Sequence, residues 1–259
     1  MLVPFLHEIG GMERQAIQLA QTLREQGVEV VIITGLYLED YFKGRRSGLR
    51  WQDSVAGVPV YRVPVTRLAW RLRLIAFACF ALILLATKLR RFQLIHAHQL
   101  ISTGLAGAII GWLLRRSVIV KIASGGYVGD LVTLRRAFFG RPPIKFLGQR
   151  LDRIICLTSQ IRTELLAVGF PAEKMTVIPN GVDTTNFCPT SDQNRDRLRD
   201  KLGLPDQSKL VLFIGGLKPK KRAAFLLSAW HVVQQEKVNA HLLFIGKGPL
   251  RPELEAQCK

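Results

Sequence analysis

Apolar positions along this 259-residue chain fall into short runs that alternate with longer segments of helical spacing. The helical segments are residues 11–25, 68–90, 103–115 and 159–168, where apolar side chains recur on one helical face. The short runs predict buried strands at residues 28–34, 58–63, 94–97, 118–122, 153–157 and 175–178. Strands that alternate with helices in this way predict a parallel sheet with helices on both faces.

A second series of the same kind follows in the last third of the chain. The pattern predicts a short polar helix, then a strand, a helix, a strand and a helix, at residues 195–202, 210–214, 223–235, 241–245 and 251–258. Turn-forming residues cluster between the two series, at residues 179–190. We therefore expect an α/β protein of two Rossmann-type domains, residues 1–179 and residues 180–259.

The composition is that of a globular chain, with 48% hydrophobic residues. The four cysteines lie far apart, without a CxxC pair or metal-ligand spacing. This predicts reduced thiols in the cytoplasm and no structural metal. The N-terminus has no recognisable cleavable signal, so we do not expect secretion.

The formal net charge of +18 is concentrated in one part of the chain. Residues 43–91 contain the single acid Asp53 and eleven cations: Lys43, Arg45, Arg46, Arg50, Arg62, Arg67, Arg71, Arg73, Lys88, Arg90 and Arg91. Such a field should attract anionic partners. The stretch carries no recognisable RNA-binding or DNA-binding motif, and we expect no nucleic acid.

An apolar run at residues 74–87 lies inside this basic stretch. Its 14 residues are fewer than the ~20 that a membrane-spanning helix needs. The run is compatible with a buried core helix, or with a helix in the headgroup plane whose flanking cations contact anionic lipid. Both can hold together, and they predict peripheral contact with an anionic membrane.

Three glycine or histidine segments of the first domain are candidates for chemistry. Gly10 and Gly11 precede a helix, where free N–H groups favour an anion, although a plain strand-to-helix turn also fits. His96 and His98 end a predicted strand on one face, where α/β sheets bind ligands. They lack a carboxylate partner for a metal site, and the loop backbone could satisfy them instead. Ser124-Gly125-Gly126 ends the next strand and either lines a cleft or forms a turn.

The basic loop at residues 215–222 is the strongest chemical feature of the second domain. It places Lys218, Lys220 and Lys221 just before a predicted helix. Positive charge at a helix N-terminus costs about 0.3–1 kcal/mol, and a bound anion would offset that cost. The alternative is a solvated run of charges.

These segments, with the turn Pro179-Asn180-Gly181, resemble the hinge, the Gly-Gly-x-Glu-Arg loop, the His-x-His segment and the phosphate loop of family 4 glycosyltransferases. Members of that family are retaining enzymes of the two-domain GT-B fold. The resemblance implies transfer of a sugar from a nucleotide-diphosphate donor to a glycan or lipid-linked acceptor. It implies neither a metal nor another cofactor.

The resemblance also assigns roles to residues. His98 contacts the donor sugar as the catalytic candidate, and Lys221 binds the diphosphate. The other residues are expected at the donor phosphates (Gly10, Gly11, Gly215, Lys218 and Lys220) or along the cleft (Ser124, Gly125 and Asn180).

The chain departs from the family pattern in three places. Gly216 stands where the family has arginine, Ser124 stands where a histidine is common, and the chain ends before the family's glutamate pair. By this resemblance we expect an incomplete second domain, an incomplete donor site and a chain that is inactive by itself. The departures also leave open a non-catalytic module that binds a sugar nucleotide or a partner. We expect a cytoplasmic location, peripheral at the inner face of the membrane.

Overall fold

The computed structural model describes residues 1–4, 6, 10–42, 50–67, 69–122, 124–138, 143–205, 208–236 and 238–258. It divides into two compact units, Met1–Val182 and Asp183–Lys259. Three of the predicted cations, Lys43, Arg45 and Arg46, lie outside the described residues.

The first unit contains eight strands and seven helices within its described part. In chain order these are β1 (Leu2–Val3), α1 (Gly11–Glu25), β2 (Ile32–Tyr37), α2 (Leu38–Phe42), β3 (Gln52–Val55), β4 (Val58–Val65), α3 (Trp70–Ala86), β5 (Leu94–His98), α4 (Leu105–Leu114), β6 (Ser117–Lys121), α5 (Asp130–Ala137), α6 (Ile144–Arg150), β7 (Arg153–Cys156), α7 (Ser159–Leu166) and β8 (Met175–Val177).

The strands form one sheet in the order β3-β4-β2-β1-β5-β6-β7-β8. Every pair is parallel except β3 with β4, which are antiparallel neighbours at the edge. The predicted parallel sheet is confirmed. The pattern of apolar residues does not predict β3, because this strand is short and polar, and it is partly exposed.

Side chains of the strands alternate between the two faces of the sheet, and helices pack on both faces. On one face, Ala16 and Ala20 of α1 pack in a cluster with Val3, Ile32 and Val60. On the other face, the strands pack against the inner residues of α3 and against α4, among them Leu2, Ile33, Val63, Phe77, Ala81, Leu105 and Ala108. Helices therefore cover both faces, as the alternation of strands and helices predicted.

Several element boundaries differ from the sequence pattern, and two of them lie next to the central strands of the first unit. β2 begins at Ile32 and runs on to Tyr37, because its ladder with β4 continues to the pair Tyr37–Val65 while Val28 is exposed. The helix predicted from residue 103 starts as a π-helix at Leu100–Gly104 and becomes α4 only afterwards. Both shifts follow from tertiary pairing at the end of a strand, which local periodicity does not encode.

Helix α3 is apolar on all sides. Phe77, Ala81 and Leu85 point into the core, as the core-helix interpretation predicted. Its opposite side also carries apolar residues, which expose between 45% and 58% of their surface: Leu72, Ile75, Phe80 and Ile83. None of the helices in the described part of the chain is long and apolar enough to cross a bilayer.

The second unit begins with a polar helix and continues as a βαβα series. Its elements are α8 (Asp192–Lys201), β9 (Lys209–Ile214), α9 (Ala223–Gln235), β10 (Ala240–Ile245) and α10 (Arg251–Gln257). β9 and β10 pair in parallel over their whole length. Leu217, Ala223, Leu227 and Leu254 form a small core beside them. The four elements from β9 to α10 lie where the sequence predicted them, to within one residue.

Close packing of α4 on β6 gives a first testable prediction. A Cβ atom at Gly111 would lie 2.2 Å from Cγ2 of Val118 and 2.9 Å from the Arg116 carbonyl oxygen. We expect Gly111→Ala to lower the free energy of unfolding by about 1–3 kcal/mol, because overpacking outweighs the ~1 kcal/mol that alanine gains in a helix.

Urea denaturation measures this change. The control is Gly181→Ala, since a Cβ there meets no atom within 4 Å. The control should change stability by no more than about 0.5 kcal/mol. Equal stability of the two variants would contradict the packing argument.

Candidate functional site

The topology of the first unit places a crevice outside the carboxyl ends of its central strands. β1 pairs with β2 on one side and with β5 on the other. The chain winds outward from β1 to β2 and β4 before it crosses to β5, so strand order reverses between β1 and β5. Open α/β sheets bind ligands at such a switch point. His98 ends β5 and the loop before Gly10 follows β1, so two candidate segments lie at this edge.

The Gly10–Gly11 segment forms the start of α1. The Gly10 amide donates to Oε2 of Glu13 at 3.0 Å, and the Gly10 carbonyl accepts from the Arg14 amide. Glu13 is itself buried, so the glutamate of the Gly-Gly-x-Glu-Arg motif caps this helix. A Cβ at Gly11 would meet no atom within 4 Å. Packing within the unit therefore does not require glycine there, and the space beside Gly11 is open.

His96 and His98 stack against each other, as their spacing in the strand predicted. Their ring centroids lie 4.7 Å apart at an interplanar angle of 24°. His98 is only 1% exposed. The Nε2 atoms of both rings are buried and have no hydrogen-bond partner among the described residues. The loop backbone in the described part of the chain thus does not satisfy these nitrogen atoms, and they are available to bond a ligand.

Both histidines are neutral at physiological pH. Burial, assisted by the charge of Lys121, lowers the pKa of His96 to about 4. Burial, His96 and Lys121 together lower the pKa of His98 to about 2. Lys121 is the register partner of His98 on β6, a neighbour that the sequence did not reveal. A neutral His98 can donate or accept a hydrogen bond, but it cannot supply positive charge.

The backbone after His98 is strained. Gln99 has a φ of +84°, a region that non-glycine residues rarely adopt. The π-helix Leu100–Gly104 follows directly, and a Cβ at Gly104 would lie 2.8 Å from the Gln99 carbonyl oxygen. The Thr103 hydroxyl donates to the His98 carbonyl. Such strain and π-helical turns are concentrated at functional sites.

The buried carboxylate of Asp130 joins the loops after β5 and β6. Its Oδ2 accepts from the Leu100 amide at 3.2 Å, and its Oδ1 accepts from the Ser124 hydroxyl at 3.4 Å. The Asp130 amide in turn donates to the Ser124 carbonyl. Asp130 is 2% exposed. Sequence analysis missed this residue, although an acid at a helix start soon after a glycine pair is a usable signal.

Glu164 supports the candidate turn at Ser124 and Gly125 from α7. Both of its carboxylate oxygens accept from the Gly126 amide at 3.1 Å. A Cβ at Gly125 would lie 2.7 Å from the Ile161 side chain, so packing demands glycine there. This segment therefore forms a turn, and it also lies at the edge of the sheet.

Asn180 is exposed near the end of the first unit. The adjacent Gly181 carbonyl accepts from the side-chain amide of Gln15 at 3.0 Å. Because Gln15 lies in α1, the segment that follows β8 reaches the helix that Gly10 and Gly11 begin. The structure thus brings the segment that contains Asn180 near that helix.

In the second unit, the loops after β9 and β10 are joined by backbone hydrogen bonds. Gly215 donates to the Ile245 carbonyl and Leu217 to the Lys247 carbonyl, both at 3.0 Å. A Cβ at Gly246 would lie 1.9 Å from the Gly215 carbonyl oxygen, and one at Gly248 would lie 2.2 Å from the Leu217 carbonyl oxygen. The glycines of the second loop are therefore needed for this contact.

The candidate lysines project from this joined pair of loops. Lys218, Lys220 and Lys221 are exposed, and a short 3-10 turn at Pro219–Lys221 carries two of them. Arg222 follows with a left-handed φ of +56° before α9 begins. A Cβ at Gly216 would contact the aliphatic part of the Lys218 side chain at 3.8–3.9 Å. Lys218 thus lies over the position where the expected arginine is missing.

The candidate residues fall into two groups. His98, Gly10, Gly11, Ser124, Gly125 and Asn180 belong to the first unit, and Gly215, Lys218, Lys220 and Lys221 belong to the second. Among the residues that the structure describes, no group of three or more His, Cys, Asp or Glu side chains could hold a metal ion. The absence of a metal requirement stays a prediction.

Two family models match consecutive parts of the chain. The Glycosyl transferase 4-like domain matches residues 10–181, and Glycosyl transferases group 1 matches residues 194–259. These matches confirm the resemblance stated from the motifs.

Curated relatives agree with the family models. The chain is 27% identical to D-inositol 3-phosphate glycosyltransferase of Thermomonospora curvata, over 96% of this chain and 62% of that protein. It is 26% identical to alpha-monoglucosyldiacylglycerol synthase of Streptococcus pneumoniae, over 98% of this chain and 56% of that protein. The chain thus spans less than two thirds of the length of these relatives.

Solved structures share the fold. Anabaena HepE in complex with UDP and glucose matches with a TM-score of 0.66 and 19% identity, over 100% of this chain and 65% of that chain. WaaG, a glycosyltransferase involved in lipopolysaccharide biosynthesis, matches with a TM-score of 0.68 and 15% identity, over 99% and 65%. The predicted α/β fold of the GT-B class is confirmed.

The buried histidines give a prediction for pH dependence. The pKa of His98 is about 2 in the folded chain, against an ordinary value of 6.5, so only the unfolded chain takes up this proton between these values. The contribution of His98 to stability is therefore fully present above pH 6.5 and is lost progressively as the pH drops below it. We expect His98→Gln to reduce the loss of stability between pH 7.5 and pH 5 by up to about 2 kcal/mol.

Urea denaturation at the two pH values measures the loss. Because the readout is a difference between pH values, a uniform effect of the substitution on packing cancels. His231→Gln, at an exposed histidine of the second unit, is the control and should leave the loss as in the wild type. An unchanged loss in His98→Gln would show that His98 is not buried in its neutral form.

Proposed function

The chain belongs to the glycosyltransferase 4-like family, and on this premise we propose that it serves retaining transfer of a sugar from a nucleotide-diphosphate donor to a lipid-linked or membrane-presented acceptor. The observation that carries the donor part is the joined pair of loops in the second unit. It presents Lys218, Lys220 and Lys221 beside Gly215 at the carboxyl end of β9. Carboxyl ends of parallel strands are where α/β folds bind nucleotides.

The lysines would stabilise the departing nucleotide diphosphate. Breaking the glycosidic bond leaves negative charge on the diphosphate, and fixed cations lower the barrier by meeting that charge as it develops. Lys221 is the best candidate because it matches the family lysine. Backbone hydrogen bonds between the loops after β9 and β10 hold the backbone that carries these lysines.

Lys218 would take the role of the arginine that the family has at the position of Gly216. Its aliphatic carbons lie 3.8–3.9 Å from the position that a Cβ atom on Gly216 would take. The Lys218 side chain therefore runs beside the space that an arginine side chain at residue 216 would enter. Lysine supplies a point charge to a phosphate, whereas arginine supplies a bidentate fork. Charge is thereby retained while some geometric specificity is lost.

His98 would contact the donor sugar. Its unpartnered Nε2 lies at the switch-point edge of the first unit, where the strained loop from Gln99 and the Asp130 bonds fix the end of β5. A neutral imidazole suits a hydrogen bond to a sugar hydroxyl. We assign it this binding role in a reaction that needs no metal and keeps the anomeric configuration.

UDP binding tests the donor site, with UDP chosen because the similar HepE structures contain it. We expect Lys221→Gln and Lys218→Gln each to weaken UDP affinity by about tenfold or more, since a hydrogen bond to a charged group contributes about 1.5–3 kcal/mol. Isothermal titration calorimetry measures the affinity and needs no acceptor.

The matched control is Lys209→Gln. Lys209 is exposed in the same unit but begins β9, at the strand end remote from the loops. If all three variants bound UDP equally, the phosphate role of the loop would be wrong. If Gly216→Arg restored affinity to Lys218→Gln, the replacement argument would gain direct support.

The outer side of α3 supports the membrane part of the proposal. Exposed apolar side chains, including Leu72, Ile75 and Ile83, follow one side of the helix, while its inner side packs in the core. Exposed cations flank it: Arg71 at its start, and Lys88, Arg90 and Arg91 after its end. An apolar stripe with cationic ends matches a helix that lies in the headgroup plane of an anionic bilayer. We place the protein peripherally at the cytoplasmic face of a membrane.

Vesicle binding tests this surface. We expect the double variant Ile75→Asp with Ile83→Asp to lose binding to anionic phospholipid vesicles by at least about tenfold, because each large apolar side chain gains about 1.5–3 kcal/mol on full burial. Co-sedimentation measures the bound fraction.

The control variant carries Leu198→Asp and Leu202→Asp, at exposed apolar positions of the second unit. Its binding should equal that of the wild type. Full binding by the α3 variant would contradict the membrane contact without touching the donor site.

A further inference from the structure

The first unit contains a cavity of about 590 Å³ that the sequence motifs do not explain. It opens at the carboxyl ends of four parallel strands, where Pro4 follows β1, Tyr37 ends β2, Val65 ends β4 and Gln99 follows β5. Helices α3 and α5 and the π-helix complete its wall. This volume is in the range of small-molecule sites.

Two arginines give the cavity a cationic side. Arg73 of α3 and Arg136 of α5 both line it, and its described lining contains no aspartate or glutamate. Arg73 donates to the Tyr37 hydroxyl at 3.1 Å, which orients its guanidinium. The guanidinium of Arg136 has no hydrogen bond or ion pair with the residues that the structure describes. Two guanidinium groups in one cavity suit a phosphate, whose charge and oxygen geometry arginine matches in a bidentate manner.

The remaining lining is largely apolar. Leu74 and Phe77 of α3 contribute one wall, and Val65, Ile101 and Ala137 contribute others. The hydroxyls of Ser102, Thr103 and Thr133 add polar groups. A ligand that fits this lining combines a charged head with an apolar part, because a fully hydrated anion would gain nothing from the apolar walls.

Helix α3 links the cavity to the exposed apolar stripe. Arg73 and Phe77 face the cavity, while Leu72 and Ile75 of the same two turns are exposed on the other side. The width of one helix, about 10–12 Å, therefore separates the cavity from the surface on which a bilayer would lie. A molecule anchored in that bilayer could place its head group in the cavity.

We propose that this cavity binds the phosphate-bearing head group of an amphiphilic acceptor, with the phosphate between Arg73 and Arg136 and the apolar part along Leu74 and Phe77. This inference rests on the proposed function and names its acceptor class. The residues that recognise the phosphate lie in the first unit, apart from the lysines of the second unit.

A second large cavity does not compete for this role. It has about 770 Å³, lies in the second unit and is lined mainly by apolar residues of β10 and α10. Its cation, Arg251, is already paired with Glu255 at 2.7 Å. It offers no comparable site for a phosphate.

Calorimetric titration with monodecyl phosphate, below its micelle concentration, tests the proposal. We expect binding to the wild type, and affinity weaker by about tenfold or more in Arg136→Gln, since a charge-assisted hydrogen bond is lost. The matched control is Arg135→Gln, which removes the same charge from the neighbouring position of α5 outside the cavity lining. Arg73→Gln should weaken binding similarly, and circular dichroism of each variant checks the fold.

Three further ligands separate the possible sources of affinity. We expect inorganic phosphate and decyl glucoside to bind far more weakly than monodecyl phosphate, and UDP not to displace it. Equal affinity for inorganic phosphate would mean a site for a soluble anion, and equal affinity for decyl glucoside would mean a purely apolar pocket. Displacement by UDP, or equal affinity of Arg136→Gln and Arg135→Gln, would also overturn the proposal.

The result is independent of the donor test. A chain that binds UDP through Lys218 and Lys221 but does not bind monodecyl phosphate would keep the proposed transfer and lose this acceptor class. A chain that binds monodecyl phosphate but not UDP would keep the cavity and lose the donor site.

Discussion

The buried carboxylate of Asp130 is the interaction on which the edge of the first unit depends. It accepts hydrogen bonds from the Leu100 amide and the Ser124 hydroxyl, and so holds together the loops that follow β5 and β6. A charge with 2% exposure is stable only when such donors replace its water, and each bond to a charged group contributes about 1.5–3 kcal/mol. The strained Gln99 and the start of the π-helix are held by the same contacts, and these in turn fix the end of β5, where His98 lies.

The second unit joins its two loops without a buried charged side chain among its described residues. Backbone hydrogen bonds join the loops after β9 and β10, and the buried Leu217 anchors the first loop in the small core. Gly246 and Gly248 permit this contact because any side chain would overlap the opposing carbonyl groups. The lysines are thus exposed cations on a backbone that hydrogen bonds hold in place, an arrangement that suits a phosphate whose charge increases during reaction.

Helix α3 unites the two proposals made for the first unit. Its apolar residues exceed what the core can bury, so one side remains exposed beside cations while the other side packs and lines the cavity. Under the proposed function, the outer side contacts the bilayer and the inner side receives the head group of the acceptor. The basic stretch that is conspicuous in the sequence then has two separate uses: its exposed cations attract anionic lipid, and Arg73 points inward.

The sequence by itself determined the α/β series, the parallel sheet, the positions of β9, α9, β10 and α10, and the family, because periodicity and short glycine and histidine motifs are local properties. It also placed His96 and His98 on one face of a strand. Asp130, Glu164, Lys121 and Arg136 were not found, since their roles come from neighbours that are distant in the chain or lie on another strand. Only the folded chain shows which side of α3 is buried, that the Nε2 atoms of His96 and His98 have no partner among the described residues, and that Arg73 and Arg136 line the same cavity. Burial and the convergence of strand ends depend on packing in three dimensions, which no local pattern of residues encodes.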